Sequence, residues 1–119
     1  MTKAFENPER LEMVNTLMQA AKKEKAEIWK VVAEELSRPR KNRREVNLYE
    51  INKNTQKDET VVVPGKVLGV GNIDHKLTVA AFQFTHDAKK KIADCGSIAI
   101  TISELMKKNP KGSKVRVLG

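Results

Sequence analysis

Leu77-Thr78-Val79-Ala80-Ala81-Phe82-Gln83-Phe84 carries six apolar side chains in eight positions, with no regular alternation of polar and apolar residues. Such a run predicts a strand apolar on both faces, which stays dry only if structure covers each side of its sheet. The sequence downstream supplies helices for this. Thr85 is placed to cap a helix in which Ala88, Ile92 and Cys95 share one face, and Gly96 stands where a helix commonly ends. Ser97-Ile98-Ala99-Ile100 predicts another strand. Thr101-Ile102-Ser103-Glu104 has the spacing of a capping box, with Ile100 and Leu105 placed as its hydrophobic staple. That short helix should end at Asn109-Pro110, Gly112 should turn the chain, and Val115-Arg116-Val117-Leu118 should close it as a strand.

Upstream, Thr60-Val61-Val62-Val63 is β-branched throughout and predicts a buried strand. Pro64-Gly65 has the composition of a type II turn, which makes Lys66-Val67-Leu68 a short return strand ended by Gly69. Residues 1–57 have a different character. Asn7-Pro8 is a cap followed by proline at a first helical position. Leu11, Val14, Met18 and Ala21 recur at helical spacing with Leu17 beside them. A second helical pattern runs from Ile28 through Trp29, Val32 and Ala33 to Leu36, and Pro39 should stop it. A third helix carrying Val46, Leu48 and Ile51 is expected to start near Asn42. The expected fold class is α/β. Residues 1–119 form one domain, with a helical part over 1–57 and alternating strands and helices over 58–119.

Only 4% of the 119 residues are aromatic, so the core must come from Val, Ile, Leu, Met and Ala. The formal charge of +8 is unevenly placed. Residues 1–37 net −1, residues 38–66 net +4 and residues 67–119 net +5. A basic surplus beyond residue 37 points to a polyanionic partner, because phosphate contacts release condensed counterions. One cysteine, Cys95, excludes an intramolecular disulfide framework, and it is expected as a small core residue. Cys95 with two histidines, His75 and His86, matches no zinc-site spacing. No run of apolar residues is long enough to cross a membrane, and residues 1–8 lack the apolar core of a signal peptide, so a soluble, intracellular protein is expected.

The densest charge is Arg38-Pro39-Arg40-Lys41-Asn42-Arg43-Arg44, five Arg/Lys in seven residues with no acid inside the run. Arginine's planar fork suits phosphate oxygens and guanine edges, and its weak hydration lets it be buried against RNA. A merely solvated loop is the bland alternative, weakened here by the absence of neutralising acids. Lys89-Lys90-Lys91 lies on a helix with an apolar opposite face, where solvation is the better account. Around the C-terminal turn, contact and solvation are both open for Lys107, Lys108, Lys111, Lys114 and Arg116. Gly69-Val70-Gly71 lacks the third glycine and following helix of a phosphate loop, so a tight turn is expected. His75 and His86 fall in turns, without a nucleophile arranged beside either. No catalytic residue, metal ligand or cofactor is indicated.

Several blocks in order carry a resemblance. Leu36-Ser37-Arg38-Pro39-Arg40 through Val46-Asn47-Leu48, Asp58-Glu59-Thr60-Val61-Val62-Val63-Pro64-Gly65-Lys66-Val67-Leu68-Gly69, Thr78-Val79-Ala80-Ala81, and the closing Asn109-Pro110, Gly112-Ser113 and Val115-Arg116-Val117 are those blocks. With them the chain closely resembles, over nearly its whole length, the eighteen-e family of large-subunit ribosomal proteins of archaea and eukaryotes. That family is related to the bacterial large-subunit protein fifteen. Arg44 stands where the family pattern has a small residue, and Glu50 where it often has a base.

The resemblance implies a non-enzymatic, cytoplasmic constituent of the ribosome that binds large-subunit rRNA and neighbours other large-subunit proteins. It implies no membrane and no small-molecule substrate. The longer C-terminal extensions of eukaryotic members do not appear, so an archaeal member is expected. The implied fold is an irregular superhelix of β-β-α turns after a helical N-terminal part. Matching residue by residue carries over Arg38, Arg40, Lys41, Arg43 and Asn47 as RNA neighbours. Chemistry alone adds Arg44, and Asn42, Lys66, Lys111, Lys114 and Arg116 complete the candidate set. Two rival functions fit the residues less well. A helix-turn-helix DNA reader needs basic residues at helical spacing, whereas these arginines straddle Pro39. An RNA-modifying or nucleotide-using enzyme needs a paired acid and base or a true phosphate loop, and the sequence offers neither.

Overall fold

The computed structural model describes residues 8–37 and 44–118. Helices α1 (Pro8–Glu24) and α2 (Glu27–Leu36) come first. Strand β1 (Arg44–Asn47), helix α3 (Leu48–Asn54) and strands β2 (Thr60–Leu68) and β3 (Thr78–Phe84) follow. Helix α4 (His86–Asp94), strand β4 (Ile98–Thr101), helix α5 (Ile102–Lys108) and strand β5 (Val115–Val117) complete the chain. The α/β class is as expected, and β2-β3-α4 follows the β-β-α order.

Every strand pairing among the described residues is parallel. β3 lies along one side of β2, with Val61 opposite Val79 and Val63 opposite Ala81. On the other side β5 pairs with the first half of β2 and β1 with the second, Thr60 meeting Val115 and Gly65 meeting Arg44. A parallel sheet must be covered on both faces, and alternate residues divide accordingly. Val61, Val63, Val79 and Ala81 pack with Leu48 and Ile51 of α3 and Ala88 and Ile92 of α4. Val62, Ala80 and Ile100 pack with Leu17, Trp29, Val32 and Leu36 of α1 and α2, and with Ile102 and Leu105 of α5. Val61, Val62 and Val63 are wholly buried, each such side chain contributing on the order of 1.5–3 kcal/mol.

Three local expectations give way. Pro64-Gly65 makes no hairpin turn: β2 runs on to Leu68 and takes up one extra residue as a register shift between Val63 and Lys66. A bulge is where an inner strand tolerates proline, since the missing N–H falls at the break in the ladder. The third helix begins at Leu48, not near Asn42, and Val46 lies in a strand, so the part before residue 58 is not purely helical. Asn47 is its N-cap, and Glu50 Oε1 accepts from the Asn47 backbone N–H at 3.1 Å. On α1 the buried stripe is Arg10, Leu17 and the half-buried Met13, Val14, Ala20 and Ala21, leaving Leu11 and Met18 exposed at its flanks. The expected cap at Asn7 and the stop at Pro39 lie outside the described residues.

Other helix ends follow the sequence closely. Thr85 Oγ1 accepts from Ala88 N at 3.1 Å, and the capping box at Thr101 and Glu104 is formed in both directions. Beyond α4, Ser97 N donates to Ile92 O and Gly96 N to Ala93 O, each at 3.0 Å, the paired bonds of a Schellman ending.

Candidate nucleic-acid interface

Of the basic run, residues 38–43 lie outside the described residues; Arg38, Arg40, Lys41, Asn42 and Arg43 are among them. The last described residue before the run is Ser37, the C-cap of α2, whose N–H donates to Ala33 O at 3.0 Å. The first described residue after 38–43 is Arg44, whose backbone pairs in register with Gly65. Next to it Glu45 lies opposite the half-buried Lys66, which on its other side faces Gln83. Asn47 sits at the helix start described above, so its backbone is already committed to folding.

A second basic group gathers at the other end of β2. Arg116 lies opposite Val61, about five residues of strand from Lys66, or roughly 16 Å at strand rise. Its guanidinium is used within the fold: Nη1 donates to Asn54 O at 2.5 Å and Nη2 lies 3.5 Å from Glu59 Oε2. Lys107, Lys108, Lys111 and Lys114 are exposed around the same turn. Asn109 braces that turn, its Nδ2 donating to Ser113 O at 2.8 Å and its Oδ1 accepting from Ser113 N at 3.3 Å. The described candidate residues therefore lie in two groups rather than one patch, and Arg116 already makes contacts within the fold.

Two basic residues have roles that sequence reasoning missed. Arg10 is almost completely buried and its Nη1 donates to Leu36 O at 2.5 Å, meeting one of the carbonyls a helix end leaves unpaired. Lys91 is not simply solvated: its Nζ donates to Gly69 O at 2.8 Å and to Gly71 O at 3.2 Å. The available hint was its spacing, three residues after the buried Ala88 and four before the half-buried Cys95, which puts it at the flank of the apolar face; Lys89 and Lys90 are exposed.

The same contacts decide what the Gly69–Gly71 loop can do. Its carbonyls meet donors, Val70 O accepting from Tyr49 N at 3.1 Å. A phosphate cradle needs converging N–H groups, the opposite polarity. Asp74, His75 and Thr55 stand in the order of a catalytic relay, with His75 Nδ1 2.9 Å from Asp74 Oδ1 and Nε2 2.8 Å from Thr55 Oγ1. However, Thr55 is only 8% exposed and its hydroxyl donates to Ile51 O at 2.6 Å. Its proton is spent on the end of α3, so this is a clasp between the end of α3 and the loop joining β2 to β3 rather than a nucleophile. The same contacts hold the Asp74 carboxyl below its usual range, through hydrogen bonds from His75 and then Asn52. No cluster of metal-ligating side chains occurs among the described residues, and no helix among them is long and apolar enough to cross a membrane.

Comparison with known proteins agrees over nearly the whole chain. The family described as ribosomal protein 60S L18 and 50S L18e matches residues 5–119. The large ribosomal subunit protein eL18 of Archaeoglobus fulgidus is 44% identical over 112 residues, covering 94% of this chain and 96% of that protein. Its namesake in Methanoregula boonei is 42% identical over 120 residues, covering 99% of each chain. That of Methanothermobacter thermautotrophicus is 39% identical over 112 residues, covering 94% of this chain and 93% of that protein. By this match over residues 5–119 and these identities, the chain belongs to the family of ribosomal proteins 60S L18 and 50S L18e, structural components rather than enzymes.

Proposed function

We propose that this chain is a structural constituent of the large ribosomal subunit, held on large-subunit rRNA chiefly through the basic run 38–44. One observation carries the reading: five Arg/Lys in seven residues, with no acid among them, join two fixed points of the body at Ser37 and Arg44. The run leads into a strand rather than a recognition helix, which disfavours major-groove DNA reading. Lys66 beside it, and Lys111, Lys114 and Arg116 at the far end of β2, supply secondary contacts. Neighbouring large-subunit proteins are the other partners, and the cytoplasmic ribosome is the location. Sucrose-gradient fractionation of cell extract tests this. The chain should sediment with large subunits and whole ribosomes at low salt, whereas recovery only among free proteins would contradict it.

A further inference from the structure

Val70 and Tyr49 are the two most exposed large apolar side chains among the described residues, at 60% and 52% of full exposure. Their backbones are held together. Tyr49 N donates to Val70 O, and Lys91 grips the carbonyls on both sides of Val70 from below. Gly71 has a φ of +96°, and a Cβ there would lie 2.6 Å from Tyr49 Cβ, so the close approach of this loop to α3 depends on glycine. Exposed apolar side chains on a fixed loop are ready to be covered without further ordering.

Charge around the pair indicates what covers it. Two nearby acids already have partners: Glu50 accepts from the Asn47 backbone, and the exposed Asp87 has Oδ2 3.7 Å from Lys91 Nζ. Lys53, one turn beyond Tyr49 on α3, and Lys89 and Lys90 on α4 are exposed. Two apolar side chains are far short of a stable protein interface, which takes roughly 800 Å² from each partner. They match the face of one nucleobase, and unpaired RNA bases stack readily on aromatic rings. Building on the rRNA-binding reading above, we propose that Tyr49 and Val70 form a stacking platform for one unpaired rRNA base. Lys53, Lys89 and Lys90 face the flanking phosphates.

The test compares full-length wild type, Tyr49→Ala and Tyr49→Phe for binding to a large-subunit rRNA transcript across a salt series. Tyr49→Ala should bind about 5- to 150-fold more weakly at each salt concentration, as expected for loss of one base stack. The slope of log affinity against log salt should not change, because no phosphate contact is lost. Tyr49→Phe should bind as wild type. Iodination of Tyr49, the single tyrosine, should be blocked in the protein–transcript complex. Wild type binding the transcript while Tyr49→Ala binds equally well would overturn the platform and leave the wider reading intact. Failure of wild type itself to bind would overturn the wider reading. A tyrosine that stays reactive on the transcript but is protected in assembled subunits would show that a protein covers it, and would also overturn the platform.

Discussion

The indole Nε1 of Trp29 donates to the carbonyl oxygen of Pro110 at 2.6 Å, joining α2 to the C-terminal turn across 81 residues of sequence. Trp29 is wholly buried. The bond therefore fixes the turn that carries Lys111 and Lys114 to the helical layer over the sheet. Gly112, with φ +66°, closes the same contact: a Cβ there would run into Ile28 Cγ2.

Trp29→Phe should take the indole donor from the exposed Pro110 and open a small void, destabilising the protein by about 0.5–1.5 kcal/mol from the lost hydrogen bond alone. Urea denaturation measures this. In wild type, acrylamide should quench the tryptophan far less than in the urea-unfolded chain. Equal quenching in both would mean that α2 packs differently.

Gly71→Val should destabilise the protein without affecting any nucleotide affinity. The substitution forces a β-branched side chain to φ +96° and against Tyr49, a strain of about 1–3 kcal/mol or more. Equilibrium dialysis of wild type with ATP, GTP and NAD should detect no binding. Micromolar affinity abolished by Gly71→Val would revive a nucleotide site.

Acid should weaken the fold partly through two carboxylates. Glu104 is held below its usual range first by the Thr101 backbone hydrogen bond, and Asp74 first by its bond with His75. Each is lowered in the folded state, so each stabilises the fold above its unfolded pKa, and that contribution is lost as pH falls through the folded value. Glu104→Gln and Asp74→Asn should each flatten the fall in stability below the ordinary carboxylate range. Thermal melts from neutral pH down to pH 3 would show it, and an acid limb as steep as wild type in both variants would contradict the assignment.

Thr101→Ala removes the hydroxyl that accepts from Glu104 N at 3.1 Å, and should cost about 1 kcal/mol, the usual worth of such a cap. A chemical-denaturation midpoint unchanged from wild type would mean that α5 does not depend on its cap.

Much of the fold was legible where local chemistry suffices. The Thr85 cap, the Thr101/Glu104 box and the doubly apolar strand at 77–84 depend on neighbours in sequence, and all formed where their residues stand. Pro64-Gly65 misled because its turn composition is identical whether the chain reverses or merely bulges. The choice is made by β1 and β3 pairing on either side of β2, which is tertiary information. Val46-Asn47 misled similarly, since a four-residue edge strand has no periodicity of its own to set against a helix. At the candidate site, composition picked out the basic residues but could not tell those spent internally. Arg116 and Lys91 are bound to carbonyls 62 and 20–22 residues away. No sequence window contains such partners.

The role proposed for the run 38–44 is to anchor the protein on RNA while contributing little to folding. Replacing Arg38, Arg40, Arg43 and Arg44 together by Ala leaves the backbone pairing of residue 44 with Gly65 possible, since that pairing uses main-chain groups. Each phosphate neutralised contributes about 0.7 to 0.9 to the slope of log affinity against log salt, taking DNA values as a guide for RNA. The deciding measurement is that slope, for wild type and the fourfold variant on a large-subunit rRNA fragment, with a thermal melt of each. The slope should flatten by roughly two to four units, affinity at physiological salt should drop strongly, and the melting temperature should stay near wild type. An unaltered slope with intact affinity, or lost affinity together with a collapsed melting temperature, would contradict the claim.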